Sequence, residues 1–412
     1  MASVRYWLWL TSLYKLGPKA QLKVYEHFGS PEEAFLADRE AIDLVEGLSR
    51  REKECLYEKD LKTADTILRD CEEKGISILT YQDAMYPQRL KHIDAPPLVL
   101  YYKGRLLPFD DLPAITVVGA RKCSGYGALM AKRLGSEIGQ CGGTLISGAA
   151  MGIDSLAMEG ALSAGAPVAA VLGCGVDVVY PASSRNLYRD VEAYGCLLSE
   201  FYPGTPPYGK NFPQRNRIMS GLALGVVVVE AGKKSGSLTT ANHALEQGRD
   251  VFAVPGNAGL ESSEGSNGLI QEGAMLVTSG WEVMREYQPK FPGRIHPPKG
   301  DKKLTLSPRD QQELKALREE KPAVSPPGKM PETEKTFDKK ENSNYSDVSK
   351  ALSGLSEDEG AIVMSLRDGE KHIDDIIAET KLSPARVLAS LTLLEVKKLV
   401  KQTMGKRFHL NQ

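Results

Sequence analysis

The sequence predicts an α/β protein with a doubly wound parallel sheet and a smaller helical part on either side of it. Two observations carry this prediction. Between about residues 76 and 288, short runs of Val, Ile and Ala alternate with longer amphipathic stretches. The apolar runs lack the polar alternation of half-exposed strands, which is typical of strands buried on both faces of a parallel sheet. The amphipathic stretches are suited to helices that cover such a sheet.

Six strands and two long helices can be read directly from this alternation. The predicted strands are residues 115–119, 144–147, 168–172, 196–199, 226–229 and 251–254. The clearest amphipathic helices are predicted at residues 126–140 and 153–164. We therefore expect ligands in the crevice beyond the carboxyl ends of the strands, where open sheets of this type bind them.

The flanking segments differ in composition from this central part, residues 76–288. Residues 1–75 predict short helices joined at tight turns around Gly17 and Gly47. Such pairs resemble helix-hairpin-helix modules that touch DNA backbone, or simply a small bundle packed on its neighbour. Residues 289–350 are rich in Pro, Lys and Glu, which predicts a flexible linker. Residues 351–412 predict a small winged helix-turn-helix domain.

Composition restricts the functional classes. The chain has 412 residues and a formal net charge of −1, so binding of a polyanion requires a local basic patch. Its six cysteines form no C-x-x-C pair and have no His-rich companion, which argues against zinc and against a disulfide framework. The N-terminus lacks the features of a signal peptide, and no window approaches a membrane span. We expect a cytoplasmic protein without membrane association.

The predicted loops after the strands contain the side chains and backbone that would hold phosphate. Gly119 and Arg121 follow the first strand, and "SGAAMGID" follows the second, with small residues at a helix start. Later loops contain "YPASSRN", "NFPQRNRIMSG" and "EAGKKSGSLTTAN", each with basic or hydroxyl side chains. Basic groups and phosphate-cradling backbone thus collect at one edge of the predicted sheet.

Two common phosphate motifs do not fit these loops. In a G-x-G-x-x-G dinucleotide fingerprint that begins at Gly119, Arg121 stands at the second glycine and Ser124 at the third. The segment "AGKKSGS" resembles a Walker A loop, but Lys234 occupies the hydroxyl position. A row of phosphate-sized sites suits a polymer backbone better than one small ligand. The sequence therefore predicts nucleic-acid binding without a cofactor or metal.

Eight motifs, in order, resemble the DNA-processing protein A (Smf) family. They include "VVGARKCSGYG", "ISGAAMGID", "VLGCGVDVVYP", "FPQRNRIMSG", "VVEAGKKSGSLTTA" and "GSNGLIQEGA". The resemblance is dense from residue 86 to residue 274. It is looser in the N-terminal helical part (the head, residues 1–75) and in the winged-helix part (the tail, residues 351–412). It implies a Rossmann-like domain between a SAM-like or helix-hairpin-helix-like head and a winged helix. It also implies a homodimer that binds single-stranded DNA, protects incoming DNA during natural transformation and loads the RecA recombinase.

Motif positions and resemblance together give the candidate DNA contacts. They are Gly119, Arg121, Ser147, Gly148, Gly152, Arg185, Arg215, Asn216, Arg217, Ser235, Gly236 and Ser237. Arg185 is the candidate for the basic residue that the family carries after "YP". One departure is Met158, because the family commonly has a His in the helix after "GID".

Two other functional classes compete with this prediction. Related Rossmann-like proteins hydrolyse nucleotides with a glutamate after a glycine-rich loop, whereas the comparable segment here, "SGSLTTANHALE", has hydroxyls and an amide. Because paired carboxylates and Cys–His sets are also missing from the sequence, we expect no enzyme activity. A regulator could instead bind duplex DNA through the winged helix, where Arg386 is the early base-reading candidate. Contact of the tail with a protein is equally compatible with its sequence.

Overall fold

A computed structural model describes most of the chain. The described residues are 2–298, 356–369, 371–380, 382, 386–387, 390–391, 393–394, 399–403 and 407–410. They fall into two compact units, which lie within Met1–Val324 and Ser325–Gln412. No helix in the described part of the chain is long and apolar enough to cross a membrane.

The N-terminal part consists of short helices. They are α1 (Ala2–Ser12), α2 (Pro18–Phe28), α3 (Pro31–Leu36), α4 (Arg39–Asp43), α5 (Arg50–Leu56) and α6 (Lys62–Glu73). Local sequence explains their ends. The Ser49 hydroxyl accepts the Glu52 N–H while the Glu52 carboxylate accepts the Ser49 N–H, so α5 begins with a capping box. Helix α2 ends at Gly29, whose φ of 75° lies in the left-handed region that favours glycine.

A nine-stranded sheet forms the centre of the first unit, in the order β1-β2-β6-β5-β4-β3-β7-β8-β9. Strands β1 and β2 join antiparallel, and β2 is also antiparallel to β6; the pairs from β6 to β9 are parallel. The strands are β1 (Ser77–Thr80), β2 (Val99–Gly104), β3 (Ala114–Val118), β4 (Thr144–Ser147), β5 (Val168–Leu172), β6 (Cys196–Ser199), β7 (Gly225–Val228), β8 (Asp250–Ala253) and β9 (Met275–Leu276).

Helices cover both faces of this sheet. They are α7 (Gln88–Lys91), α8 (Gly125–Gln140), α9 (Ile153–Ser163), α10 (Arg185–Tyr194), α11 (Asn211–Leu222), α12 (Ser237–Glu246), α13 (Glu264–Gln271) and α14 (Gly280–Arg285). The central strands β3 to β7 are buried along their whole length, as a sheet covered on both faces requires. This confirms the predicted doubly wound α/β fold. The six predicted strands lie within one residue of β3 to β8.

Strands β1, β2 and β9 were not predicted. Strand β9 has only two residues, Met275 and Leu276, so its apolar run is too short to predict a strand. Strands β1 and β2 form an antiparallel extension, and β1 begins with an exposed residue. The sheet is therefore mixed at one end, whereas the prediction had been a parallel sheet.

The N-terminal helices share one hydrophobic core with the sheet. Trp7 and Trp9 of α1 belong to the same buried cluster as Tyr101 of β2 and Ile115 of β3. Both tryptophans are 1% exposed. The N-terminal helices are thus packed against the sheet.

The start of the predicted linker is ordered. Ile295 is 3% exposed and belongs to the main core, and the His296 N–H donates to the Cys141 carbonyl at 3.3 Å. Packed structure therefore continues through residues 289–298 of the interval that composition predicted to be flexible. Residues 299–350 of that interval lie outside the described residues.

The second unit contains helices and a small sheet. Helix α15 (Glu357–Ser365) is followed by strand β10 (Lys371–His372), helix α16 (Ile373–Thr380) and strands β11 (Val400–Thr403) and β12 (Arg407–Leu410). The three strands form an antiparallel sheet in the order β10-β12-β11. Ile362, Ile376 and Phe408 belong to its own buried cluster. Most of the predicted third helix, residues 383–400, lies outside the described residues.

Candidate functional site

Loops after five neighbouring strands converge on one cavity of about 570 Å³, here named the five-loop pocket. The strands are β3, β4, β5, β6 and β7, so the cavity lies at the carboxyl edge of the sheet, as expected for an open parallel sheet. Its lining includes Gly119, Arg121, Ala150, Asp154, Tyr180, Pro207, Gly209, Phe212, Arg215, Asn216, Ser235, Gly236, Ser237 and Thr240.

Two arginines contact the same aromatic ring in this pocket. The Cζ atom of Arg121 lies 5.2 Å from the centroid of the Phe212 ring, and that of Arg215 lies 5.9 Å from it. Arg121 is exposed, whereas Arg215 is 4% exposed. The pocket therefore presents an apolar ring with one solvent-facing guanidinium and one buried guanidinium, a combination suited to a base and its phosphate.

The protein itself holds Arg215 in place. One of its terminal nitrogens donates to the Gly148 carbonyl at 3.0 Å and to the Val171 carbonyl, and Nε donates to the Asn216 side chain at 3.2 Å. The Asp154 carboxylate accepts the Gly148 N–H at 3.2 Å. Burial raises the pKa of the Asp154 carboxyl, and the Arg215 charge opposes that rise. Because Asp154 and Arg215 compensate each other, Arg121 gives the pocket its net positive charge.

The N-terminus of α12 supplies hydroxyl and backbone groups on another side of the pocket. The Ser235 and Ser237 hydroxyl oxygens are 2.8 Å apart, and the Asn216 amide donates to the Gly236 carbonyl at 3.3 Å. The Thr240 hydroxyl is buried and has no hydrogen-bond partner in the described residues. Since buried polar atoms are usually paired, an acceptor or donor from a ligand would complete this wall.

The structure brings seven of the predicted residues together in the lining. They are Gly119, Arg121, Arg215, Asn216, Ser235, Gly236 and Ser237. Gly119 has a packing reason for its identity, because a Cβ atom there would lie 2.6 Å from the Ile153 side chain. The loop can therefore approach α9 closely only with glycine at this position.

The turn after β4 differs from its prediction. The Ser147 hydroxyl is buried and donates to the Val117 carbonyl at 2.7 Å, so it stabilises the sheet. The Gly148 N–H, a candidate donor to phosphate, donates to the Asp154 carboxylate instead. A Cβ atom on Gly152, whose φ is 82°, would lie 2.4 Å from the Ala120 carbonyl oxygen. Ser147, Gly148 and Gly152 thus shape the pocket from behind and do not line it.

Arg217 also differs from its prediction. It is 8% exposed, and its guanidinium donates to the Glu200 carboxylate and to the Ala95 carbonyl. An internal ion pair neutralises this charge, so Arg217 has a structural role that the sequence did not predict. Arg185 is exposed at the start of α10 but outside the lining of the five-loop pocket.

Sequence reasoning missed two aromatic residues of the pocket. Phe212 and Tyr180 both occur in quoted motifs, beside residues that were chosen for their charge or backbone. An aromatic residue beside basic ones in a post-strand loop was the available signal. Met158 is fully buried in α9, so at this position the chain uses packing instead of a polar group. In the tail, Arg386 forms hydrogen bonds of 2.8 and 2.7 Å with Asp358.

The Glu230 carboxylate near the pocket forms hydrogen bonds that stabilise the fold. The Glu230 carboxylate, 3% exposed, accepts the Ser124 N–H at 3.0 Å and the Ser124 hydroxyl at 2.5 Å, which anchors the start of α8. No group of three or more His, Cys, Asp or Glu side chains within the described ranges is arranged to hold a metal ion. The pocket thus combines arginine, aromatic, hydroxyl, amide and backbone groups with one carboxylate, Asp154.

Comparisons with known proteins agree on one family. The model described as "DNA recombination-mediator protein A" matches residues 77–288, and the "DprA winged helix domain" matches residues 348–406. The chain is 31% identical to Protein Smf of Synechocystis sp. over 98% of each chain. It is 43% identical to DNA processing protein DprA of Streptococcus pneumoniae over 50% of this chain and 72% of that protein.

A solved structure also matches. The X-ray structure of DNA processing protein A from Streptococcus pneumoniae superposes with a TM-score of 0.61 at 35% identity. The match covers 68% of this chain and 97% of that one. The likeness therefore extends from sequence to three-dimensional fold.

Proposed function

Because this chain belongs to the DNA recombination-mediator protein A family, we propose that it is a recombination mediator that binds single-stranded DNA at the five-loop pocket. One observation carries the proposal: the Phe212 ring lies in contact with Arg121 and Arg215 where five post-strand loops meet. An exposed cation attracts the phosphate backbone, and an aromatic face accepts an unstacked base. Bases are available for such stacking only when they are unpaired, so single strands are favoured over duplexes.

Phosphate recognition is assigned to the groups around that ring. The Arg121 side chain is exposed and provides the solvent-facing charge. The start of α12, with the Ser235 and Ser237 hydroxyls, provides donors together with the positive end of a helix dipole. None of these groups reads a base edge, so binding has little sequence preference. Arg185 extends the same path outside the pocket.

The cellular role follows the family resemblance. We propose that the protein protects incoming single strands during natural transformation and loads the RecA recombinase onto them in the cytoplasm. Support comes from the alignment with DNA processing protein DprA of Streptococcus pneumoniae over half of this chain. Tight binding of the sugar–phosphate backbone would shield it from nucleases while the strand waits for the recombinase.

We also propose that the active form is a homodimer built through the α/β part. An exposed apolar patch at the sheet edge supports this. Met275 and Leu276 of β9 are 42% and 49% exposed, and Leu245 of α12 is 58% exposed. Strand β9 is the last strand of the sheet, and sheet edges with apolar side chains are favourable sites for association.

The same proposal includes the absence of catalytic turnover. Hydrolysis would require a carboxylate or a comparable base that is free to activate water. Asp154 accepts the Gly148 N–H, and Glu230 is bound to Ser124. Both carboxylates therefore have structural partners, Glu230 through both oxygens and Asp154 through Oδ2.

Binding measurements with three ligands test the proposal. Affinity is compared for a single-stranded oligonucleotide, the same sequence as a duplex, and a mononucleotide, each at two salt concentrations. The single strand is expected to bind most tightly and to lose affinity steeply with salt, because bound phosphates release counterions. Equal affinity for the duplex would overturn the assignment of single-strand specificity. Preference for the mononucleotide would favour a small-ligand site.

A further inference from the structure

A second cavity lies beside the five-loop pocket, between the junction of α1 and α2 and the segment that connects β6 to α11. Its volume is about 310 Å³, and we name it the aromatic cleft. Three tyrosines line it with exposed rings: Tyr14 is 90% exposed, Tyr202 is 45% exposed and Tyr208 is 54% exposed. Exposed aromatic faces around one concave surface are unusual, because burying them would be favourable.

The connecting segment borders both cavities in alternation. Pro207, Gly209 and Phe212 line the five-loop pocket, whereas Tyr208 and Lys210 line the aromatic cleft. The two cavities therefore share one wall only a few residues thick. A chain molecule that leaves the first cavity across this wall enters the second.

The charges in the aromatic cleft suit a polyanion. The Lys210 ammonium lies 5.6 Å from the centroid of the Tyr14 ring, so a cation stands next to the most exposed aromatic face. Glu200 also lines the cleft, but Arg217 forms an ion pair with it. Because the charges of that pair cancel, Lys210 gives the aromatic cleft a net positive charge.

We propose that the aromatic cleft is a second subsite for the same DNA strand, in which unpaired bases stack on Tyr14, Tyr202 and Tyr208 while Lys210 contacts the backbone. This inference rests on the proposed function of the five-loop pocket. It makes the N-terminal helices part of the DNA-binding surface, because Tyr14 follows α1. It also adds selectivity for single strands, since a paired base offers no free face for stacking.

Oligonucleotide length separates the two subsites. A series of oligo(dT) strands of about 4 to 16 nucleotides covers the range that single-strand binding folds occupy. The matched variants are Tyr14→Ala/Tyr208→Ala in the cleft and Tyr194→Ala on α10, where the tyrosine is 65% exposed and lies outside both cavities. The double variant is expected to bind the shortest strands normally and the longest strands about five- to 160-fold more weakly, the range that follows from losing one base–aromatic stack.

A second measurement uses the unmodified protein. Abasic sugars replace the bases in the part of a long strand that extends beyond the shortest bound length. Wild-type protein is expected to bind this strand at least as weakly as the double variant binds normal DNA. The double variant, which keeps Tyr202, is expected to lose much less affinity than wild type when abasic sugars replace the bases. Photocrosslinking with 5-iododeoxyuridine at these positions should modify Tyr14 or Tyr208.

The outcomes distinguish this inference from the proposal on which it rests. If long strands bind the double variant and wild type equally, the aromatic cleft is not a DNA subsite, even when Arg121→Ala weakens all lengths. If wild-type protein binds neither short nor long strands, the five-loop proposal itself fails. A cleft that takes a protein segment instead would leave every DNA affinity unchanged in the double variant, which also overturns the inference.

Discussion

The Arg121 guanidinium lies over the ring of Phe212, with its Cζ atom 5.2 Å from the ring centroid. This contact joins the loop after β3 to the first turn of α11, so two distant segments of sequence form one surface. The ring keeps an exposed arginine near the pocket, and no residue in the described part of the chain forms an ion pair with it. A free cation held in position is what a phosphate backbone requires.

Replacing Arg121 with Ala should weaken single-strand binding for all sequences alike. Loss of one phosphate contact should make the slope of log affinity against log salt shallower by about 0.7. Thermal stability should hardly change, because the side chain is exposed. Fluorescence anisotropy titrations at several salt concentrations measure the slope. Arg285→Ala, on α14 and 53% exposed, is the matched control; an unchanged affinity in Arg121→Ala would exclude this arginine from the site.

Replacing Arg217 should lower the free energy of unfolding more than it lowers the affinity for DNA. The variant Arg217→Met leaves the Glu200 carboxylate, whose side chain is 12% exposed, without its cation. Breaking a buried pair from one side typically costs about 3–5 kcal/mol. Urea denaturation should show this loss, and the additional change Glu200→Gln should recover part of it. If the Arg217→Met protein is stable but binds DNA poorly, Arg217 contacts DNA and the structural assignment is wrong.

Lys59 should make stability depend on pH. Burial lowers the pKa of its ammonium from 10.5 to about 8, and the amine donates to the Ala34 carbonyl at 2.8 Å. Between these two values the unfolded chain binds more protons than the native protein, so the free energy of unfolding rises with pH. The melting temperature of wild type minus that of Lys59→Met should therefore increase from about pH 7.5 to about pH 10. A flat difference would show that Lys59 titrates normally.

Truncation should separate the tail from the binding activity. A protein that ends at residue 298 should fold and keep most of its single-strand affinity, because the two cavities lie in the first unit. Ending it at residue 288 should cost about 1.5–3 kcal/mol, since the buried Ile295 side chain is lost. Both proteins are compared with the full chain by denaturation and DNA titration. If the 298-residue protein folds but does not bind DNA, the principal DNA site lies in the C-terminal unit.

Turnover should be undetectable. Purified protein incubated with nucleoside triphosphates, nucleoside monophosphates or labelled oligonucleotides and Mg²⁺ should leave them intact, because Asp154 and Glu230 already have hydrogen-bond partners. Product is measured by chromatography and gel electrophoresis. Hydrolysis that disappears in Ser237→Ala would support a nucleotide hydrolase.

Sequence alone predicted the parts of the fold that depend on local pattern. Uninterrupted apolar runs located β3 to β8 within one residue, because each is buried on both faces. The same pattern predicted which loops meet at the sheet edge. It did not predict which partner each arginine side chain contacts. Arg215 and Arg217 are two positions apart on α11, yet Arg215 donates to the Gly148 carbonyl and Arg217 to the Glu200 carboxylate. Tyr14 was equally inaccessible to prediction, because its position beside Lys210 depends on how α1 packs on the sheet.

The core shared by α1 and the sheet determines how the first unit melts. Trp7 and Trp9 lie in the same apolar cluster as Tyr101, so separating the N-terminal helices from the sheet would expose large aromatic surfaces on both sides. Such a step costs too much to occur as an independent transition. Calorimetry of residues 2–298 should accordingly give one cooperative endotherm, with equal calorimetric and van't Hoff enthalpies. Tryptophan emission should shift at the same temperature as the loss of far-ultraviolet circular dichroism.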